Sequence, residues 1–293
     1  MNKNYFLNKP NWIRIRIPQK YRNIKNTENI ISHYRVNTIC QSANCPNIIN
    51  CFSYGIATFL ILGDLCTRNC RFCNVKHGLP DKPDNNEPNR LAKAIYQMKL
   101  KHVVLTSVNR DDLYDGGASH FVKCINTIKR YNNNISIEIL VPDFRNCLKI
   151  ALNLFQESLP DIFSHNIESV PRLYSFIKPG FKYLNSLKLL RLFKIKYPNI
   201  PTKSSIIVGL GETLEEIINT MYDLYNNGVS LLTIGQYLQP TNKHLSVKRF
   251  FSKKEFSFLK KEALVIGFSY VASGPLIRSS YRADLQSCGV LID

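Results

Sequence analysis

At 293 residues with a 44% hydrophobic share, the chain can form one large domain or two ordinary ones and can bury a core without disulfide staples. Its longest apolar runs, "FLIL" and "IIVGL", are strand-sized, and the basic opening stretch lacks the apolar core of a signal peptide, so a membrane partner is excluded and a cytoplasmic location is expected. The net charge of +18 is spread rather than clustered in a chain crowded with Asn, Ile, Lys and Tyr; compositional drift accounts for it, and an acidic protein partner is compatible with it.

Residues 1 to about 50 read as irregular, punctuated by Pro and Asn, with Pro10 and Pro18 breaking any long helix at the start. Regular alternation follows. "IATFLIL" (56–62) reads as a buried strand, and a Pro-rich loop at 80–90 leads to a helix near 89–99. Strand 102–108 precedes helix 117–131, strand 135–141 precedes helix 145–156, and strand 161–168 precedes helix 182–196. Strand 204–210 leads to helix 212–227, whose opening "GETLEE" puts acidic residues in the first turn. Strand 230–238 and helix 253–266 complete six units, and "SYVASG" (269–274) is a further extended piece. Strict alternation predicts an α/β fold with a parallel sheet, either open and doubly wound or a partial barrel. No Gly-rich dinucleotide fingerprint follows the first strand, which weakens the doubly wound alternative.

Six of the nine cysteines fall between positions 40 and 73, which points to metal. Cys66, Cys70 and Cys73 follow the first strand, at the sheet end where parallel α/β folds carry chemistry. Three thiolates suit a zinc ion completed by His77 or by water, or a [4Fe–4S] cluster with one open iron. Cys40, Cys45 and Cys51 match no common zinc spacing and suggest a second, separate site. Cys124, Cys147 and Cys288 read as packing residues.

"CTRNCRFC" (66–73) resembles the cluster loop of the radical S-adenosylmethionine (SAM) superfamily. Together with "CQSANCPNIINC" (40–51), "LTSVNRDDLYDGGASHF" (105–121), "HNIESVPRLY" (165–174), "KSSIIVGLGET" (203–213), "IGQYLQP" (234–240) and "SGPLIRSSYRADLQ" (273–286), the chain is similar to the lipoyl synthase family over nearly its whole length. The resemblance implies a partial (βα)6 TIM-like barrel at 53–272. An N-terminal extension at 1–52 would carry the second cysteine motif, and a C-terminal tail at 273–293 would return to it. It implies two [4Fe–4S] clusters and SAM. Cys66, Cys70 and Cys73 would hold one cluster, whose open iron binds SAM. Cys40, Cys45 and Cys51 would hold an auxiliary cluster with Ser280 of "RSSY" as fourth ligand and Ser279 as second choice.

Phe72, Gly116, Gly117, Asn166, Glu168, Gly209 and Gly211 would contact SAM, although Ala118 stands where the superfamily's Gly-Gly-Glu motif has its carboxylate. The implied reaction inserts two sulfur atoms at carbons 6 and 8 of a protein-bound octanoyl-lysine through adenosyl radicals, with no acid–base dyad. The implied partners are octanoylated lipoyl domains of 2-oxoacid dehydrogenase complexes or the glycine cleavage carrier protein, and an electron donor such as flavodoxin or ferredoxin. A tRNA-thiolating relative would carry an added basic RNA-binding domain, and none is visible, so nucleic acid is not an expected partner. A non-catalytic zinc protein is the competing reading from another class.

Overall fold

A computed structural model describes residues 7–14, 21–287, 289 and 290. Helix α1 (Tyr21–His33), strand β1 (Asn37–Thr38) and the short helices α2 (Ile39–Ser42) and α3 (Ile48–Ser53) precede the regular alternation. The expectation of an irregular start is therefore corrected. Ile24, Ile30 and Ile31 of α1 are buried at helical spacing among Asn and Lys, an apolar face too sparse to stand out.

Seven parallel strands follow: β2 (Thr58–Ile61), β5 (His102–Ser107), β6 (Ser136–Leu140), β7 (Ile162–Ser164), β8 (Thr202–Val208), β9 (Leu231–Gln236) and β10 (Tyr270–Gly274). The two-residue strands β3 (Leu65–Cys66) and β4 (Lys76–His77) form a separate parallel pair within the cysteine loop. The main sheet runs β1-β2-β5-β6-β7-β8-β9-β10, with only β1 antiparallel to its neighbour. No pairing between β10 and β2 closes it among the described residues, so the barrel is partial. The extended piece at 269–274 is a full seventh parallel strand, paired to β9 over five residues.

Helices α4 (Glu87–Gln97), α5 (Ala118–Tyr131), α6 (Leu148–Leu154), α7 (Pro171–Ile177), α8 (Tyr183–Lys196), α9 (Leu214–Asn226) and α10 (Lys253–Ile266) lie between the strands, and α11 (Ala283–Ser287) follows the last. Each long one buries a stripe against the sheet: Phe121, Ile125 and Ile128 from α5, Ile217, Met221 and Leu224 from α9, Phe256, Leu259 and Ala263 from α10. Capping boxes fix two starts, Thr213 with Glu216 for α9 and Ser252 with Glu255 for α10. Inside the barrel, the buried Glu138 accepts from Lys203 Nζ at 3.0 and 3.1 Å and from Ser164 Oγ at 2.8 Å, linking β6, β7 and β8. Helix α3 ends at Ser53 and β10 at Gly274, so the expected limits at 52 and 272 fall within these elements. Among the described residues no helix is long and apolar enough to cross a membrane. Cys288 lies outside the described residues.

Candidate functional site: one cavity between two cysteine triplets

A cavity of about 740 Å³ opens at the carboxyl ends of the strands. Cys66, Cys70 and Cys73 line it, and so do Cys40 and Cys45. This volume suits a cofactor together with part of a substrate.

The loop 66–73 is tied to its surroundings at each turn. Thr67 N donates to Asn109 O at 3.1 Å, and the backbone and side-chain amides of Asn109 donate to Cys66 Sγ at 3.4 and 3.6 Å. Arg71 N donates to Ile177 O, Leu245 N donates to Arg71 O, and the His244 ring meets Cys73 O at 3.0 Å. Arg68 is clamped by Asp111 through two contacts of 2.6 Å and by Asp143 at 2.7 Å, and its guanidinium lies over the Phe181 ring. His77 pairs its backbone with Cys66 but its side chain is exposed and does not line the cavity. Among the described residues no three His, Cys, Asp or Glu side chains converge on one metal position, as a zinc ion would require. A cubane places each thiolate on a different iron, so its ligands surround a volume instead of meeting at a point.

Burial pushes the Cys70 thiol up to about 12 and the Cys73 thiol up to about 11. The second triplet behaves alike. Burial raises Cys40 to about 11 and also raises Cys45 and Cys51, with the neighbouring thiols adding to the shift at Cys40 and Cys51. Such thiols stay protonated until a metal displaces the proton, which is the condition under which metal binding and folding are coupled.

Cys51 is buried on α3, behind the cavity wall that carries Cys40 and Cys45. The C-terminal segment docks directly on this triplet. Asn47 Nδ2 donates to Leu276 O at 2.6 Å, Thr58 Oγ1 donates to Ser280 Oγ at 2.8 Å, and Tyr281 OH donates to Asn50 Oδ1 at 3.3 Å. Ser279 and Ser280 both line the cavity, and Thr58 also hydrogen-bonds Cys40.

Of the residues expected to touch SAM, Phe72, Asn166 and Glu168 line the cavity, whereas Gly116, Gly117, Gly209 and Gly211 do not. Gly117 has φ +89°, and a Cβ there would stand 2.3 Å from Leu62 Cδ1, so close packing accounts for that glycine. Glu168 is half-buried with φ +70° and bridges to Ile206 of β8; its withdrawal from water raises its carboxyl, and Lys178 partly offsets this. The hydroxyl of Ser107, Oδ1 of Asn109 and Oδ1 of Asn166 are buried without a hydrogen-bond partner, and all three residues line the cavity. Unpaired polar atoms of this kind fit a polar ligand that supplies the missing partners.

Sequence reasoning missed Arg68, Lys178, Arg278, His165 and His244. Lys178 is 4% exposed, donates to Tyr174 OH at 3.2 Å and to Asn166 O at 3.4 Å, and faces Glu168 and Cys70. His165 is held at both nitrogens, by Val141 O and Ser186 Oγ, and burial lowers it to about 4, so it serves poorly as a base. Their role depends on burial, which no spacing announces.

Residues 60–224 match the Radical SAM superfamily. Lipoyl synthase of Mannheimia succiniciproducens is 53% identical over 98% of this chain and 89% of its own length. Lipoyl synthase of Baumannia cicadellinicola is 54% identical over 97% of each chain, and that of Buchnera aphidicola 53% identical over 96% of this chain and 88% of its own. Among solved structures, SuiB of Streptococcus suis bound to S-adenosylmethionine aligns with a TM-score of 0.58 at 10% identity, over 78% of this chain and about half (53%) of that one. Methylornithine synthase (PylB) aligns with a TM-score of 0.53 at 16% identity, over 88% and 78% of the two chains. These two likenesses concern the fold, which is the partial barrel described above. With five of the six clustered cysteines lining one cavity and relatives this similar over nearly the full length, the chain belongs to the lipoyl synthase family of the radical SAM superfamily.

Proposed function

We propose that this protein inserts sulfur at carbons 6 and 8 of an octanoyl chain carried on a lysine of a lipoyl domain, using two [4Fe–4S] clusters. The observation that carries this reading is a single cavity lined by the whole 66–73 triplet and by Cys40 and Cys45 of the other, with Cys51 buried on α3 behind its wall. Cys66, Cys70 and Cys73 would hold one cluster and leave one iron open; Cys40, Cys45, Cys51 and Ser280 would hold the other. When bound and reduced, the first cluster and SAM together supply an adenosyl radical that removes hydrogen from an unactivated carbon, and the second cluster supplies sulfur.

The chain's own residues do the rest. Ser107, Asn109 and Asn166 offer unpaired polar atoms to SAM, and Phe72 packs at the cavity wall with Tyr237 and Leu210. Lys178 and Glu168 provide one positive and one negative charge, matching the carboxylate and amino ends of an amino acid. Val141, Ile207, Leu238 and Ile277 give the cavity the apolar wall an acyl chain needs and keep water away. The electron donor would be a small redox protein such as flavodoxin or ferredoxin, in the cytoplasm.

The test is anaerobic reconstitution followed by incubation with an octanoyl-lysine peptide, SAM and a reductant. The expected outcome is about eight irons per chain, 5′-deoxyadenosine, and a doubly thiolated peptide. Intact clusters with neither product would sink the reading.

A further inference from the structure

Arg278 stands in the wall of the cavity, two residues before Ser280. Its Nη1 donates to the carbonyl of its own neighbour, Ile277, at 2.7 Å. Among the described residues no carboxylate lies within ion-pair distance of it. Two arginines near the site differ: Arg68 is paired with Asp111 and Asp143, and Arg110 with Asp112. Arg278 is half-buried, and a cation partly withdrawn from water without a counter-charge is destabilising. It is retained where negative charge arrives from another source.

The groups facing Arg278 identify that source. Cys45 and Glu168 are the acidic groups that act on it. Glu168 already has a stronger cation in Lys178. Cys45 belongs to the triplet on which the tail docks. The backbone holds the guanidinium in place. A Cβ on Gly235, in β9, would stand 2.1 Å from Ile277 O and 3.2 Å from Arg278 Nη1. The strand and the tail are therefore in close contact at this point.

A [4Fe–4S] core ligated by three thiolates and a serine oxygen carries net negative charge. We propose that Arg278 is the fixed counter-cation of an iron–sulfur cluster held by Cys40, Cys45 and Cys51, a positioning residue that sets the cluster's reduction potential without ligating iron. The inference rests on the assignment of that triplet to a cluster. A neighbouring cation favours the more negative, reduced state and so raises the potential.

The test uses the full chain with Cys66, Cys70 and Cys73 replaced by alanine, so that Cys40, Cys45 and Cys51 alone carry iron. Iron content and a potentiometric titration followed by electron paramagnetic resonance are compared for this parent, Arg278→Gln and Arg278→Lys. The glutamine variant is expected either to titrate at a lower potential or to lose cluster iron, while the lysine variant stays close to the parent. An unchanged potential at full iron content in Arg278→Gln overturns the proposal. So does equal loss of iron from both variants, which would mark the shape of the side chain and not its charge. In the complementary background, with Cys40, Cys45 and Cys51 replaced, Arg278→Gln is expected to leave the remaining cluster's potential in place; an equal shift there also overturns it. A parent without iron overturns the cluster assignment and the proposal together, and is told apart because the parent itself fails.

Discussion

Arg68 sits between two loop cysteines, and its side chain is 4% exposed. Its contacts with Asp111, after β5, and Asp143, after β6, fasten the loop to two strand ends at once. Replacing Arg68 with Met strands the Asp143 carboxylate, which is 2% exposed, in a setting where water cannot replace the lost partner. The expected loss is about 3–5 kcal/mol, read as a lower urea midpoint of the iron-free chain. Asp111 adds a pH signature. Burial acts to raise its carboxyl, yet the Arg68 hydrogen bonds hold it below the ordinary value of 3.8. Its contribution is therefore complete above the ordinary carboxylate range and fades as pH falls towards the depressed folded value. Arg68→Met removes this dependence, so the wild-type advantage in stability is expected to shrink on acidification; an advantage that grows below pH 4 would contradict the assignment.

At the scale of elements, the contact between β9 and the tail is the most sensitive. Gly235→Ala places a methyl group against Ile277 O, backbone against backbone, where no side-chain rotation relieves it. The tail is expected to shift and to carry Arg278 and Ser280 away from Cys40, Cys45 and Cys51. Limited proteolysis after residue 275 is then expected to quicken, and iron is lost from that triplet while the loop at 66–73 keeps its own. Uniform loss from both would indicate general unfolding instead. The alternating strands and helices were legible because parallel strands buried on both faces read as apolar runs, such as "HVVLTS" and "SSIIV". Strand β7 was expected over 161–168 but ends at Ser164. Glu168 takes a left-handed backbone, which bends the chain into the cavity, and its side chain gives no advance notice of that turn. The crowding of six cysteines between 40 and 73 was legible in the sequence, and five of them line one cavity. Gly116 and Gly117, read as a ligand loop, stand off the cavity, and a Cβ at them would meet Phe144 and Leu62 respectively.

For the whole molecule, the 39 basic residues against 21 acidic ones leave a positive field over a protein whose substrate is attached to another protein. A field of this size does not decide the fold, but it acts on encounter with an acidic surface. An acidic octanoylated lipoyl domain is expected to associate faster at low ionic strength, by on the order of tenfold relative to 0.15 M salt, where the Debye length is about 8 Å. Dissociation should change little if, as proposed, the acyl chain and its lysine arm enter the cavity, where they would be shielded from salt. Stopped-flow association measured across a salt series separates these two rates. A lipoyl domain with its surface carboxylates neutralised should show neither the acceleration nor the salt dependence. If the acidic domain also binds at a rate indifferent to salt, the charge is a by-product of composition, and recognition then rests on the apolar cavity alone.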